Sequence, residues 1–281
     1  MLAILVITIP ALGENPSQVS PANLGGGEDA RQRDPWYGFP VGSWIVESET
    51  LKQDRQQAQT RREKTERIEG SSPLALKPDD IVLAVRPERD GEFSEVARSH
   101  RHVPGAVPAT MEHAKLIETR RAAVEIDGGS YQCEVKKWRV TIERPGIDAT
   151  YTLWYAQGLD VPYRELSLQG PDLAMPSDVL RAEVEIKGPN YTDVASLEVK
   201  SLMEERKIGT QVLMCVREEG RFQSEVQGQK LDISVRSWLS KQVPGHRVRS
   251  EAEGTLGGRR VERVREVLEF HVPGERTTHQ E

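Results

Sequence analysis

The chain has 281 residues, 37% of them hydrophobic and 29% charged, with 38 Lys and Arg against 44 Asp and Glu for a formal net charge of -6. That length can bury a sizeable core without disulfides or metals. The acidic balance offers no clustered basic face, which excludes the electrostatic footprint of a nucleic-acid binder.

The first ten residues, Met1 to Pro10, are apolar and uncharged and run into Ala11-Leu12-Gly13, a small-x-small triplet before Glu14. This reads as a secretory signal over 1–13, against the alternative of a buried strand, and predicts a secreted or periplasmic protein. The run is too short to span a bilayer and no later segment approaches ~20 apolar residues, so no transmembrane segment is expected. Residues 14–35, with Asn15-Pro16-Ser17 and Gly25-Gly26-Gly27, read as a disordered lead-in. Order is expected from Trp36, with a strand entering through Phe39 to Val46 and Trp44 as a structural residue. The charged stretch from Lys52 to Ile68 is open between a helix and a long hairpin; bracketing by Ile45 and Ile68 favours an edge hairpin. Ile81 to Val85 fits a buried strand, and residues 86–108 read as a loop.

Beyond residue 108 the sequence repeats itself. Ala109-Thr110-Met111-Glu112, Leu116-Ile117-Glu118, Cys133, Trp154 and Val161-Pro162 recur as Ala195-Ser196-Leu197-Glu198, Leu202-Met203-Glu204, Cys215, Trp238 and Val243-Pro244. Such self-similarity counts folding units. It predicts a first β-rich unit over 36–187, a second over 188–275 and a tail over 276–281. In the first copy Val124 to Val135 folds back across Asp127-Gly128-Gly129, whose glycines supply the positive φ of a tight hairpin; Lys207 to Val216 is a shorter version. Ala149 to Tyr155 and Ile233 to Leu239 alternate with period two, each with a Trp near its end. Pro162 and Pro244 push the preceding valines into extended backbone. The fold class is therefore mainly β, a β-rich α+β arrangement of two related antiparallel meanders, as a curved sheet or half-barrel. Its short helix would lie around Leu116 or Leu202, with helix or strand left open at 109–118 and 195–205.

The residues that recur as a set, Cys133, Trp154, Pro162, Cys215, Trp238 and Pro244, are expected to be structural, together with Trp44. Burying ~200 Å² of each Trp is worth at most about 5 kcal/mol, which suits a core anchor. Cys133 and Cys215 can be two separate buried thiols or one bridge, for which the chain-entropy model gives roughly 4 to 5 kcal/mol. Duplication favours thiols, because matching positions in tandem units lie a unit's width apart. Chemistry-bearing motifs are sparse: Gly42-Ser43-Trp44 lacks the second glycine of a nucleophile elbow, and no glycine cluster carries the Lys-Ser/Thr of a phosphate loop. His100 and His102 share one strand face near Glu112 and His113, yet the second copy has no matching histidines, so no metal is expected. Asp148 and Asp232, matching acids before the two Trp strands, suggest turn or cap roles. No catalytic residue and no cofactor is predicted.

Gly42-Ser43-Trp44, with Trp238-Leu239-Ser240 leading into Val243-Pro244-Gly245 behind a Cys-bearing hairpin, resembles uncharacterised secreted proteins of planctomycete-type bacteria with GSW and W-x-S…VPG motifs. The first copy departs from that pattern, with Trp154-Tyr155-Ala156 and with Tyr163 in place of the glycine. These proteins are distantly similar to the lipoprotein-carrier half-barrels, whose curved sheet holds an acyl chain. The resemblance implies a non-catalytic exported protein binding an apolar small molecule or an envelope protein. A hydrolase using acidic residues and a purely structural envelope component are the alternatives.

Overall fold

The computed structural model describes residues 35–54, 56–69, 81–94, 98–102, 114–142, 146–162, 164–166, 173–175, 177–226 and 229–274. The signal at 1–13, all of the lead-in but residue 35, and the tail at 276–281 lie outside the described residues.

The described residues form strands joined by turns, with no α-helix among them. In chain order the strands are β1 (Trp44–Gln53), β2 (Gln59–Ile68), β3 (Ile81–Arg89), β4 (Glu92–Phe93), β5 (Arg98–His102), β6 (Lys115–Ile126), β7 (Gly129–Ile142) and β8 (Ile147–Tyr155). They continue with β9 (Arg164–Leu166), β10 (Leu173–Met175), β11 (Val179–Lys187), β12 (Tyr191–Ile208), β13 (Gln211–Val226), β14 (Gln229–Leu239), β15 (Arg247–Leu256) and β16 (Arg259–His271). All but β9 and β10 belong to one antiparallel sheet in the order β4-β3-β2-β1-β16-β15-β14-β13-β12-β11-β8-β7-β6, with β5 beside β3. The mainly β, curved-meander expectation holds, and the sheet does not close into a barrel.

Three local expectations are corrected. The helix expected around Leu116 or Leu202 is strand in both places, within β6 and β12. The hairpin of Lys52 to Ile68 forms as β1–β2 but lies inside the sheet, because β1 pairs with β16 and β2 with β3. The loop of 86–108 contains the end of β3, then β4 and β5, which line that edge of the sheet.

Period-two sequence drives strand formation where one face is buried. Along β12, Asp193, Ala195, Leu197 and Val199 are buried while Thr192, Val194 and Ser196 are exposed. The β6–β7 turn places Asp127 at φ 52° and Gly128 at φ 76°, the left-handed pair that matches a two-residue hairpin to strand twist.

The core comprises three clusters. In one, Trp138, Tyr151, Leu153, Val184, Ile186, Ala195 and Leu197 pack across β7, β8, β11 and β12. In a second, Val124, Ile126, Cys133 and Val135 of the β6–β7 hairpin pack with Trp154, Val161, Leu180, Val199 and Val216. The β12–β13 hairpin closes over Trp238, Val243 and Val248, joined there by Ile45, Ile81, Leu83 and Val267 from the terminal strands and β3. Asp127, at the first hairpin's tip, accepts from Leu202 N at 2.8 Å and from Ser201 Oγ at 3.2 Å, docking the tip onto β12.

Candidate functional site

The predicted structural residues fall into two matched settings. Cys133 and Cys215 occupy the same position from the start of β7 and of β13. Two residues on, Val135 lies opposite Trp154, and Arg217 lies opposite Trp238. Arg139 forms a two-pronged pair with Asp148, at 3.0 and 2.8 Å, and Arg221 does the same with Asp232, at 2.8 and 2.6 Å. Both Trp side chains are buried, as are Pro162 and Pro244. Trp44 is half-buried, with Lys64 Nζ 4.4 Å above its ring and His271 beside it. Cys133 and Cys215 are free thiols in separate core clusters. Burial raises both thiols, Cys215 to about 11, where Arg206 lowers it and Glu204 raises it by smaller amounts.

Between the two settings the polarity of three inward positions changes. Counting from the turns, the inward positions Ala122, Val124 and Val135 of the first hairpin correspond to Glu204, Arg206 and Arg217 of the second, since Ala122 opposes Cys133 as Glu204 opposes Cys215. These three charges are bound to one another and to the tryptophan. Trp238 Nε1 donates to Glu204 Oε1 at 2.8 Å, Arg206 Nη2 donates to the same oxygen at 2.7 Å, and Arg217 Nε lies 2.8 Å from Glu204 Oε2. The Arg206 guanidinium sits 4.0 Å from the Trp238 ring centroid.

On the outward side the exchange runs the other way: Ser130, Gln132 and Glu134 of the first hairpin become Val212, Met214 and Val216 in the second. Val212 and Met214 are 52% and 44% exposed, and Met203 in the adjoining bulge is 72% exposed. Thus the second hairpin carries charge at three inward positions, while Ile208, Leu213 and Cys215 stay apolar and buried there, and on its outward side Val212 and Met214 are exposed beside Glu205 and Lys207.

The apolar side borders a groove of about 260 Å³ between the two halves, lined by Met214, Val216 and Leu239, by Pro162 and Asp160, and by Ser240, Lys241 and Gln242. Lys241 pairs with Asp160 across it. Its lining mixes apolar and polar side chains, and its volume lies just below the usual range for whole small-molecule ligands.

The sequence singled out Pro162 as a structural residue, and the structure places it at this groove; Met203, Val212, Met214 and the Glu204–Arg206–Arg217 cluster were missed. The signal lay in the hairpin turns. The sequence match sets Leu116 against Leu202, whereas in the ladders Leu116 opposes Trp138 and the corresponding residue, opposite Gly220, is Leu197. Aligning on the turns would have paired Glu204 with Ala122. Of the histidines, His100 and His102 lie on β5 with side chains outside the described residues, as is His113 altogether. Among the described residues no group of three or more metal-type ligands occurs, and no helix is long and apolar enough to cross a membrane.

No protein-family model matches the chain, and no curated protein matches it. Among solved structures, a Bacteroides fragilis protein described as a "putative exported protein with YmcC-like fold" aligns with 83% of this chain and 97% of its own at 6% identity, with a TM-score of 0.34. A superposition that loose carries no argument about function.

Proposed function

We propose that the chain is an exported, non-catalytic binding protein that takes an apolar ligand, or the apolar part of an envelope partner, in the groove beside the β12–β13 hairpin. In this reading residues 36–187 and 188–275 hold two copies of one unit, the first kept as scaffold and the second turned to binding. The changed polarity of the second hairpin carries the proposal. Leaving Met203, Val212 and Met214 in water forgoes roughly 25 cal/mol for each Å² exposed, while the charges on the inner side must be desolvated. Contiguous apolar exposure rimmed by polar groups is the mark of an interaction surface. Methionine suits a surface that adapts to chains of different shape. The apolar opening of the sequence supports export, and the resemblance to planctomycete-type secreted proteins and lipoprotein-carrier half-barrels supports an apolar ligand.

The test is titration of the folded protein with N-phenyl-1-naphthylamine. Enhanced, saturable fluorescence that is lost in Met214→Glu, with an unchanged circular dichroism spectrum, supports the reading. No enhancement, or enhancement indifferent to Met214→Glu, refutes it.

A further inference from the structure

We propose that two copies of this chain pair antiparallel through β6 to form a symmetric dimer with one continuous sheet. The two edges of the sheet are unlike. At one end β3 is lined by β4 and β5, whereas at the other β6 pairs, among the described residues, with β7 alone. Seven successive residues there, Lys115 to Arg121, are exposed on both sides of the strand. An edge of that length presents a row of backbone donors and acceptors for another strand. Side-chain charges decide whether the partner can be a second copy.

Symmetry restricts the register. Two copies joined edge to edge are related by a two-fold axis perpendicular to the sheet, so residues placed opposite each other must share a face. Within the unbroken run after the bulge at Ile117, only registers centred on a residue satisfy this. Centring on Glu118 or on Arg120 sets like charges against each other. Centring on Thr119 puts Glu118 opposite Arg120 of the second copy and Arg120 opposite its Glu118, and Thr119 meets Thr119. Within one copy Glu118 and Arg120 already lie on one face, with Oε1 and Nε 3.2 Å apart. Dimerisation therefore closes a ring of four alternating charges. Cross-strand pairs of opposite charge and Thr–Thr pairs are both favourable. The surplus positive charge does not oppose this strongly: the two Arg121 residues would stand about 13 Å apart along the strands, beyond the screening length of about 8 Å at physiological salt. The isologous contact also closes, leaving no free β6 edge to propagate a fibre.

Sedimentation velocity on the whole protein from micromolar to near-millimolar concentration tests the pairing. The expected result is a reversible dimer whose dissociation constant rises about tenfold or more in Glu118→Arg, where like charges face each other, and returns to within about threefold of wild type when Arg120→Glu is added. Circular dichroism checks that each variant stays folded, and these substitutions lie on exposed positions. A monomer throughout, a dimer indifferent to Glu118→Arg, or a double variant that does not recover would each overturn the proposal.

Discussion

Trp238 hands its indole N–H to Glu204 at 2.8 Å, while its counterpart Trp154 stands opposite Val135, in one cluster with Val124 and Ile126 and with the Arg181 guanidinium 4.8 Å from its ring centroid. The same register thus supports apolar residues at three hairpin positions in one place and an ion cluster in the other. Clusters of this kind are costly to break and cheap to replace whole. Glu204→Ala leaves Arg206 and Arg217 facing each other, so it should cost about 1 to 3 kcal/mol in urea denaturation, reduced from the fully buried figure because all three side chains keep partial exposure. The triple variant Glu204→Ala, Arg206→Val, Arg217→Val copies the first hairpin and should be as stable as wild type or more so. A triple variant weaker than the single one would contradict this.

The two thiols should be unreactive in the native protein and both titratable once it is unfolded without reductant. They are free, buried and in different clusters, and Cys215 is pushed up to about 11, so little thiolate exists at neutral pH. Ellman titration reads this directly. Zero equivalents after denaturation would mean a bridge.

Glu47 and Arg265 join β1 to β16, the first and last of the described strands. Arg265 Nε donates to Glu47 Oε1 at 3.0 Å with a second prong to Oε2, and Glu47 is buried. Arg265→Met should cost roughly 2 to 4 kcal/mol, because it strands a buried carboxylate, and adding Glu47→Gln should recover part of that loss. A double-mutant cycle in urea checks it; additive losses would show that the pair is not coupled.

Asp232 is held at about 2 by hydrogen bonds from Arg221 and then Gln223, and Asp148 is lowered in the same sense by Arg139. A carboxyl depressed in the folded state adds stability above its unfolded pKa, near 4, and loses that contribution as pH falls through the folded value. Between about pH 4 and pH 2 the stability of wild type should therefore drop more steeply than that of Asp232→Asn. The side chain is exposed, so the difference should be small and should shrink in salt. Equal slopes would argue against the pair acting in solution.

The strands of the two halves were legible because burial on one face leaves period-two alternation, as in Ala149 to Tyr155. Residues 115–121 showed no period because they are exposed on both sides, and only pairing with β7 makes them a strand. Placement of β1 beside β16 joins residues far apart in the chain, which local pattern does not encode. The changed polarity of the second hairpin was hidden for a different reason. The letter-by-letter match pairs Leu116 with Leu202, an offset of 86 residues, whereas counting from the turns pairs Ala122 with Glu204, an offset of 82, so the match sets the wrong residues side by side.

In the proposed function the outward face of the β12–β13 hairpin binds an apolar chain. Spectra of the protein labelled with ¹³C at its methionine methyls, titrated with sodium dodecanoate below its micelle concentration, report on Met203 and Met214 directly. Saturable shifts of the Met214 and Met203 methyls at one common affinity are expected. Methyls that stay fixed throughout, or shifts confined to the other methionines, would contradict it.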